Sequence, residues 1–370
     1  MSDIPLFLYG TLRHAPLFEA VAGRGPMLRP AHLPDYAPFT VLGEAYPALR
    51  PAPGDAADGV LARGLSEAEE ERVAFYEGDE FRVDQLEVQT DAGPVMARVF
   101  VPTDVLQNGG VRWDYDAWRE SGAGAAVIAA DEMMHARAAL GDKAAWENYT
   151  SILVRAHSKV RARTEPAPTT LRRAHRSDEV KVAMQRQPYA GFFAVGEAEL
   201  THPVVGGQSD LLHRSAFLMG DAVTILPYDP VRDRVLVIDQ FRFGVFLRGD
   251  PYPWSLEPIA GRIDPGESPE VAARREAKEE AGLDIRKVHQ VGRYYPSPAG
   301  VSEWLASYVG IADLPDGIAG VGGCEDEHED IVSHVIPFDH LMELVESGEA
   351  ANAPLLLTAY WLEGRRASLA

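Results

Sequence analysis

The segment that most constrains this chain lies at residues 261–283, where a glycine-rich stretch leads into a short, strongly charged run. Ser268 is a favourable N-cap residue and Pro269 suits the first helical position, while Gly282 suits the position after the last turn. The sequence therefore predicts a helix over residues 269–281 whose two ends are both defined.

Three glutamates of this helix, Glu276, Glu279 and Glu280, are spaced i, i+3 and i+4 and so project from nearly one face. Like charges at this spacing cost an isolated helix roughly 0.2–0.5 kcal/mol per pair. One interpretation is a solvated acidic face, which is common. The other is a site where carboxylate oxygens bind Mg²⁺ beside a substrate's phosphates. The presence of Glu267 and Arg275 at fixed offsets favours the metal site.

This segment resembles the Nudix box, Gly-x5-Glu-x7-Arg-Glu-U-x-Glu-Glu-x-Gly-U with U aliphatic, and Ala277 is a small residue for the first aliphatic position. The resemblance implies an α/β/α sandwich with a mixed sheet and a hydrolase that cleaves a diphosphate linkage. It implies Mg²⁺ as cofactor, with Mn²⁺ as an alternative. It also implies that Glu267 and Arg275 pair to fix the loop against the helix. The implied metal-binding groups are the carboxylates of Glu276 and Glu280, the carbonyl of Ala260, and Glu279 as a ligand or a catalytic assistant.

Residues 185–360 resemble bacterial ADP-ribose pyrophosphatases along nearly their whole length. A proline shortly after the box, here Pro298, marks that subgroup. The implied substrate is a nucleoside diphosphate sugar, ADP-ribose, cleaved to AMP and ribose 5-phosphate, while other such sugars stay open. The resemblance is carried by residues 189–193, 226–233, 240–242, 254–261, 297–303 and 325–331.

The same resemblance implies individual roles for residues outside the box. Phe192 would stack on the adenine, and Glu303 would contact the terminal ribose. Glu327 would be the general base, with Glu329 as a metal-linked neighbour. Arg214, in a stretch of looser similarity, and Arg242 would contact the phosphates or the ribose. Members of this family are commonly homodimers, which is the expectation here.

The rest of the chain predicts two domains, both of the α/β class. Residues 4–105 read as short strands and turns around one helix, for which Ser66 and Glu69 form a capping box. Two helices, over 118–140 and 144–163, close this first domain. We predict a first domain at residues 1–163, a Pro- and Thr-rich linker at 164–178, and the Nudix domain at 179–370, where strands alternate with helices.

Near the N-terminus, Tyr9, Gly10, Thr11 and Leu12 lead from a strand into a glycine turn. Such a turn either aims backbone N–H groups at an anion or simply ends an edge strand. The stretch resembles the Tyr-Gly-Thr-Leu signature of the gamma-glutamylcyclotransferase-like fold, a small β-barrel with helices. That family implies that Glu77 takes a proton from the attacking α-amine as 5-oxoproline is released. A ligand sensor without turnover is the non-enzyme alternative.

The tandem order of the two domains resembles tellurite-resistance proteins that carry a Nudix domain. The net charge of −21 argues against nucleic-acid and anionic-membrane partners. The basic run at residues 155–176 has no interleaved aromatic residues, which favours a solvated helix end over an RNA site. Cys324 is the only cysteine, and the sequence has neither a secretory leader nor an apolar span, so we expect a cytoplasmic protein.

Overall fold

The computed structural model of the chain describes residues 4–25, 27–103, 105–165, 168–322 and 330–369. Spatial contacts divide it into two compact units. The first comprises Met1–Ala194 and Glu199–Leu211, and the second comprises Val195–Ala198 and Leu212–Ala370. Because this division follows contacts rather than sequence, the predicted domain limits at residues 163 and 179 stay a prediction.

The described strands of the first unit close into a small barrel. Strands β3, β1, β5, β4 and β2 are hydrogen-bonded in that order, and β2 pairs again with β3, while β6 is added beside β2. The predicted barrel is therefore confirmed. Its strands are β1 (Leu6–Leu8), β2 (Leu28–Val41), β3 (Pro47–Ala62), β4 (Phe81–Thr90), β5 (Gly93–Pro102) and β6 (Asn108–Arg112).

The apolar run in β1 is buried on both faces, which explains why it does not alternate with polar residues. Phe7 belongs to the barrel interior, together with Leu33, Leu61 and Val99. Its neighbours on either side point the other way and join the apolar cluster formed with the helices. The strand thus connects the two layers of this unit.

The region was predicted to consist mainly of short strands and turns, but β2 and β3 are long, with 14 and 16 residues. These strands form one long antiparallel hairpin despite their prolines, with a register shift between Pro34 and Tyr36. Asp35, at that shift, has a φ of 59°, a conformation that Asp tolerates better than most residues. Pairing along the whole hairpin outweighs the low strand preference of proline, which sequence patterns alone do not reveal.

The helices of the first unit pack against the outside of the barrel. Ser66 and Glu69 form the predicted capping box at the start of α2. The two helices predicted after residue 118 are each divided, the first at Gly122 and the second at Asn148. The helices are α1 (Ala15–Ala22), α2 (Glu67–Glu77), α3 (Tyr115–Ser121), α4 (Ala123–Leu140), α5 (Asp142–Glu147) and α6 (Tyr149–Thr164).

Further strands follow along the chain: β7 (Lys181–Ala190), β8 (Ala194–Thr201), β9 (Pro203–Val204), β10 (Gly207–Gln208) and β11 (Leu212–Leu218).

The second unit is built on a mixed sheet in the order β16-β17-β12-β13-β19-β18, with β14 beside β13 and β15 beside β12. Strands β12 and β17 are parallel, whereas β12 is antiparallel to β13 and β15. The strands are β12 (Ala222–Asp229), β13 (Arg234–Phe241), β14 (Trp254–Glu257), β15 (Ile259–Arg262), β16 (Lys287–Tyr294), β17 (Leu305–Ile311), β18 (Val321–Gly322) and β19 (Ile331–Pro337).

Helices cover both faces of this sheet, as predicted for an α/β/α sandwich. Val223 and Ile225 of β12 face α8, and Tyr228 of the same strand joins the cluster of α9 and α10 on the other side. The alternation follows directly from the two-residue period of a strand. The helices are α7 (Phe243–Arg248), α8 (Pro269–Ala281), α9 (Phe338–Ser347), α10 (Ala353–Glu363) and α11 (Arg366–Leu369).

Helix α8, which carries the three glutamates, lies close to the sheet because its buried face is made of alanines. Ala272, Ala273 and Ala277 are each 0% exposed and pack in the cluster beneath β12. The small residue at position 277 therefore has a structural reason. In the described part of the chain, no helix is long and apolar enough to cross a membrane.

We expect Ala277→Leu to lower the free energy of unfolding by about 1–3 kcal/mol, because the larger side chain would be forced between α8 and the sheet. Urea denaturation followed by circular dichroism would measure this change. Lys278→Leu on the same helix is the control, since Lys278 is 57% exposed and its replacement should cost less than about 0.5 kcal/mol. Equal stability of Ala277→Leu and the wild type would contradict this account of the packing.

Candidate active site

Helix α8 begins and ends as the sequence predicted. The Ser268 hydroxyl accepts a hydrogen bond from the Val271 amide at 3.3 Å, and Pro269 is the first helical residue. Gly282 follows the helix with a φ of 65°, in the left-handed region that glycine adopts at low cost. These two ends fix the turn of the helix that presents Glu276, Glu279 and Glu280.

The three glutamates do not share one environment. Glu276 and Glu280 are 9% and 6% exposed, whereas the Glu279 side chain is 43% exposed. Burial raises the pKa of Glu276 to about 7, while the charge of Arg275 and its hydrogen bond act in the opposite direction. Two carboxylates that are predicted to bind metal are thus buried. An unpaired negative charge in such a buried position is costly.

Arg275 holds the carboxylates and the preceding loop in place. Its guanidinium donates two hydrogen bonds to Glu267, at 2.9 and 3.0 Å, which confirms the predicted pair. It also donates to Glu276 at 2.8 Å, to Glu279 at 2.9 Å and to the carbonyl oxygen of Arg262 at 3.0 Å. The pKa of Glu267 is lowered chiefly by its hydrogen bonds from Arg275. One cation therefore orients three acidic side chains and the end of β15.

Gly261 is required by the close approach of Glu276. A Cβ atom built at position 261 would overlap the Glu276 carboxylate. The carboxylate therefore lies directly against the backbone of β15, next to residue 260. Ala260 in turn is paired in register with Thr224 of β12, so its position is fixed by the sheet.

These donors fit a hard divalent cation. Glu276 and Glu280 offer carboxylate oxygens in a site largely closed to water, and Mg²⁺ prefers such oxygen ligands. Among the described residues, no three His, Cys, Asp or Glu side chains converge to hold an ion. Glu279, the third glutamate of this face, is instead hydrogen-bonded by Arg275. Glu327 and Glu329, predicted as general base and metal-linked neighbour, lie outside the described residues.

Arg242 and Glu303, both predicted to contact substrate, lie close enough for the charge of Arg242 to lower the pKa of Glu303. Arg242 makes a bidentate pair with Glu257, at 3.0 and 2.6 Å, and Glu257 is 5% exposed. Burial raises the pKa of Glu303, and the nearby charges of Arg262 and Arg242 lower it. Glu257 therefore fixes the guanidinium of Arg242 near the Glu303 carboxylate.

Sequence reasoning did not single out Arg262, Asp221 or Glu257. Asp221 raises the pKa of Glu303, so it lies close to that carboxylate. The pairing of Ala222 with both Arg262 and Leu305 places the ends of three strands together. Glu257 and Arg262 lie in stretches that carry the family resemblance, but only the strand register shows that Asp221 and Arg262 lie near Glu303.

The other predicted substrate contacts lie on exposed parts of the chain. Arg214 is exposed on β11 and donates to the carbonyl of His213 at 2.9 Å. Pro298 is exposed in the segment between β16 and β17. Phe192 is 58% exposed and belongs to the first unit. Their roles stay predictions.

The first unit contains a second group of interacting polar residues, where β1 and α2 end. Burial raises the pKa of Tyr9 well above its usual value, and the charge of Glu77 raises it further, while Arg50 lowers it. Burial raises the pKa of Glu77 to about 8. Tyr9 and Glu77, predicted from separate motifs, therefore lie near each other, and Gly10 approaches the ring of Pro47.

Arg50, Tyr76 and Tyr149 also belong to this group, although the sequence did not mark them. The pKa of Tyr76 is raised by burial first and then by Tyr149 and Glu77. Thr11 and Leu12 form a short 3-10 turn after Gly10, in which Leu12 is buried. The group joins residues from the barrel and from three helical segments, which no local motif could have shown.

Two families match the chain, one for each unit. The family described as NUDIX domain matches residues 219–358. The family described as gamma-glutamyl cyclotransferase, AIG2-like, matches residues 6–120. The first match contains α8 and its glutamates, and the second contains the barrel, Tyr9 and Glu77.

The chain is also similar to named bacterial enzymes. The ADP-ribose pyrophosphatase of Escherichia coli (strain K12) is 37% identical over 187 residues, 50% of this chain and 88% of that protein. The ADP-ribose pyrophosphatase of Haemophilus influenzae (strain ATCC 51907 / DSM 11121 / KW20 / Rd) is 30% identical over 194 residues, 52% of this chain and 89% of that protein. The GDP-mannose pyrophosphatase of Enterobacter sp. (strain 638) is 33% identical over 151 residues, 40% of this chain and 77% of that protein.

The chain contains the whole Nudix box and is similar to such relatives over most of their own length. It therefore belongs to the Nudix family and carries an additional N-terminal domain of the AIG2-like gamma-glutamyl cyclotransferase type.

Proposed function

We propose that the second unit hydrolyses the diphosphate bond of ADP-ribose, giving AMP and ribose 5-phosphate, with Mg²⁺ as cofactor. The observation that carries this proposal is the burial of two carboxylates on one face of α8, those of Glu276 and Glu280, the first of which lies against the Gly261 backbone. The similarity to two ADP-ribose pyrophosphatases favours ADP-ribose over GDP-mannose, because those relatives are matched over a larger share of their length.

The metal ions would be held by Glu276, Glu280 and the carbonyl of Ala260, with Glu279 assisting and Glu329, in the acidic stretch of the sequence at residues 325–330, as a further contributor. Bound divalent cations supply charge neutralisation at the diphosphate and activation of a water molecule. Mn²⁺ offers a similar preference for oxygen ligands and would serve as a substitute.

The chain's own residues do the rest. Arg275 keeps Glu276 and Glu279 oriented before the substrate arrives, so little reorganisation is needed. Glu327 takes a proton from the water that attacks one phosphorus, while the P–O bond to the other phosphate breaks. That phosphate leaves as the second monoester.

Substrate binding is assigned to residues around this centre. Arg242 and Arg214 suit the phosphates or ribose, since guanidinium groups bind phosphate oxygens in pairs. Glu303, near Arg242, suits the hydroxyls of the terminal ribose. Phe192 offers an exposed ring for the adenine, and Pro298 shapes the ribose side.

The first test is Glu280→Gln, with AMP release from ADP-ribose measured in the presence of Mg²⁺. We expect kcat to fall more than about 100-fold, beyond the loss typical of residues that only support a ligand, because a neutral amide is a poor metal ligand. Glu270→Gln is the matched control on the same helix, since Glu270 is 56% exposed and pairs with Arg274. Near-normal turnover by Glu280→Gln would reject the metal assignment.

A second activity is proposed for the first unit, as a gamma-glutamyl cyclotransferase, because Glu77 and Tyr9 interact in a desolvated setting. The α-amine of a γ-glutamyl compound attacks its own γ-carbonyl carbon, and Glu77 takes the amine proton. The bond to the leaving amine then breaks, that amine receives the proton, and 5-oxoproline is released. A ligand sensor is the alternative, in which the same residues bind without turnover.

The pKa of Glu77 sets the expected pH dependence of this second activity. A carboxyl group with a pKa of about 8 acts as a base only when ionised, so 5-oxoproline release should rise with pH and level off above about pH 8. The measurement is 5-oxoproline formation from a panel of γ-glutamyl amines. Glu77→Gln should abolish it and Glu280→Gln should not. Binding without product by the wild type would favour the sensor instead.

We further propose a cytoplasmic homodimer. The single cysteine fits a reducing compartment. An exposed aromatic surface in the second unit supports self-association, because monomeric proteins seldom leave such contiguous apolar area in water. Its members are at least 45% exposed and contact one another as ring pairs: Phe241, Phe243, Phe246 and Trp254.

We expect Phe246→Asp to shift the protein from dimer to monomer, because a buried charge at such an interface is costly. Sedimentation velocity at several concentrations would measure the shift. Val231→Asp is the control, since Val231 is 84% exposed outside this surface. A monomeric wild type, or an unchanged dimer of Phe246→Asp, would reject the assignment.

A further inference from the structure

Three hydroxyl groups of the second unit form a hydrogen-bonded chain. Thr224 of β12 lies across from Ser307 of β17 in the parallel register, and their hydroxyl oxygens are 2.7 Å apart. The Ser307 hydroxyl is also 2.9 Å from the hydroxyl of Tyr294, on β16. Thr224 is 3% exposed and Ser307 is 0% exposed, whereas Tyr294 is half-buried. The chain therefore runs from the buried middle of the sheet to a residue that is partly open to solvent.

Packing alone is a weak explanation for the two buried hydroxyls. Their neighbours along the strands are apolar and fully buried, as with Val223, Ile225 and Ala306. A hydroxyl placed among such residues costs free energy unless it forms a hydrogen bond, and valine or alanine would fill the same positions without that cost. The arrangement is accounted for if Thr224 and Ser307 serve to hold the hydroxyl of Tyr294.

The direction of the hydrogen bonds follows from where the chain ends. Three hydroxyls carry three hydrogens but share two hydrogen bonds, so one hydrogen is donated outside the chain. Among the described residues, Thr224 Oγ1 and Ser307 Oγ have no partners other than the members of this chain. A hydrogen left over on either would be unsatisfied in the core, which is costly. Thr224 therefore donates to Ser307, Ser307 donates to Tyr294, and Tyr294 keeps its own hydrogen for a ligand.

The Tyr294 hydroxyl lies close to Glu303. Tyr294 is paired with Leu305 in the antiparallel register, and Glu303 comes two residues before that partner. Burial raises the pKa of Tyr294, the hydrogen bond with Ser307 lowers it, and the charge of Glu303 raises it further. Glu303 is half-buried as well. A hydrogen-bond donor and a carboxylate acceptor are thus placed side by side in a partly dry setting.

This pairing of donor and acceptor matches a sugar better than a phosphate. A sugar hydroxyl both donates and accepts hydrogen bonds, so it can give its hydrogen to Glu303 and accept one from Tyr294. A phosphate oxygen only accepts, and its negative charge would be repelled by the Glu303 carboxylate. The chemistry of the two side chains therefore selects a neutral group that carries hydroxyls.

We propose that Tyr294, held by Ser307 and Thr224, is a substrate-binding residue that donates a hydrogen bond to a hydroxyl of the terminal ribose. This inference rests on the proposed function, in which Glu303 contacts the same sugar. Tyr294 then distinguishes a nucleoside diphosphate that carries a second sugar from one that ends at the phosphate. Ser307 acts through Tyr294 and is a positioning residue.

The first test is Tyr294→Phe, which removes the hydroxyl and keeps the ring. We expect KM for ADP-ribose to rise about fivefold, the effect of losing one hydrogen bond between uncharged groups, with kcat within about twofold of the wild type. Tyr360→Phe is the matched control and should leave KM unchanged, since Tyr360 is 57% exposed on α10.

The two products serve as probes of where the hydroxyl acts. Tyr294→Phe should raise the inhibition constant of ribose 5-phosphate about fivefold, because this product carries the terminal sugar. The inhibition constant of AMP should not change, because AMP lacks that sugar. A general loosening of the site would weaken both inhibitors alike.

Ser307→Ala tests the support of the tyrosine. It should raise KM for ADP-ribose in the same direction, and the combination with Tyr294→Phe should raise KM no further than Tyr294→Phe alone, because both changes act through one contact. Thermal unfolding of each variant establishes that it is folded at the temperature of the assay.

The outcomes separate this inference from the proposed function. If the wild type cleaves ADP-ribose but Tyr294→Phe keeps its KM, the sugar contact is overturned and the hydrolase function stands. Equal weakening of AMP and ribose 5-phosphate, or additive effects of Ser307→Ala and Tyr294→Phe, would overturn it as well. If the wild type does not cleave ADP-ribose, the proposed function fails first, and the role assigned to Tyr294 fails with it.

Discussion

The guanidinium of Arg275 organises the candidate metal site. It binds Glu267 from the approach loop, Glu276 and Glu279 from α8, and the carbonyl of Arg262 from β15. A planar group with five donors can satisfy all these acceptors at once, which lysine could not do. Without it, like charges on one turn of α8 would repel each other, and the loop would lose its attachment to the helix. Arg275 therefore fixes the acidic side chains of α8 and its approach loop relative to one another.

The sheet makes this network around Arg275 possible, because β12 and β15 set how closely α8 can approach. Alanines bring α8 close to β12, and Gly261 leaves room for the Glu276 carboxylate against the backbone. The close packing of α8 and the placement of the Glu276 carboxylate thus both depend on small residues. The cost is a desolvated carboxylate, seen in the raised pKa of Glu276. The divalent cation that we propose for this site would offset that cost, because a metal ion takes the place of the proton on its carboxylate ligand.

The first unit also contains buried ionisable side chains, at a different kind of candidate site. Its barrel brings Tyr9 to the end of α2, where burial raises the pKa of Glu77 to about 8. In the same unit, Arg155 and Glu132 form a buried pair linked to the Phe192 backbone. Both cases place an ionisable group in a dry setting, where its energy depends strongly on neighbouring residues.

The sequence by itself determined the features that depend on only a few neighbouring residues, such as where a helix begins and ends. The ends of α8 and the capping box of α2 were predictable because caps act over a few neighbouring residues. The Glu267–Arg275 pair and the two fold types followed from the resemblance of their motifs to known families. Tertiary structure alone decided the long β2–β3 hairpin, the burial that distinguishes Glu276 from Glu279, and the grouping of Asp221 and Arg262 with Glu303. Those features depend on strand register and on distant packing partners, which leave no pattern in the neighbouring sequence.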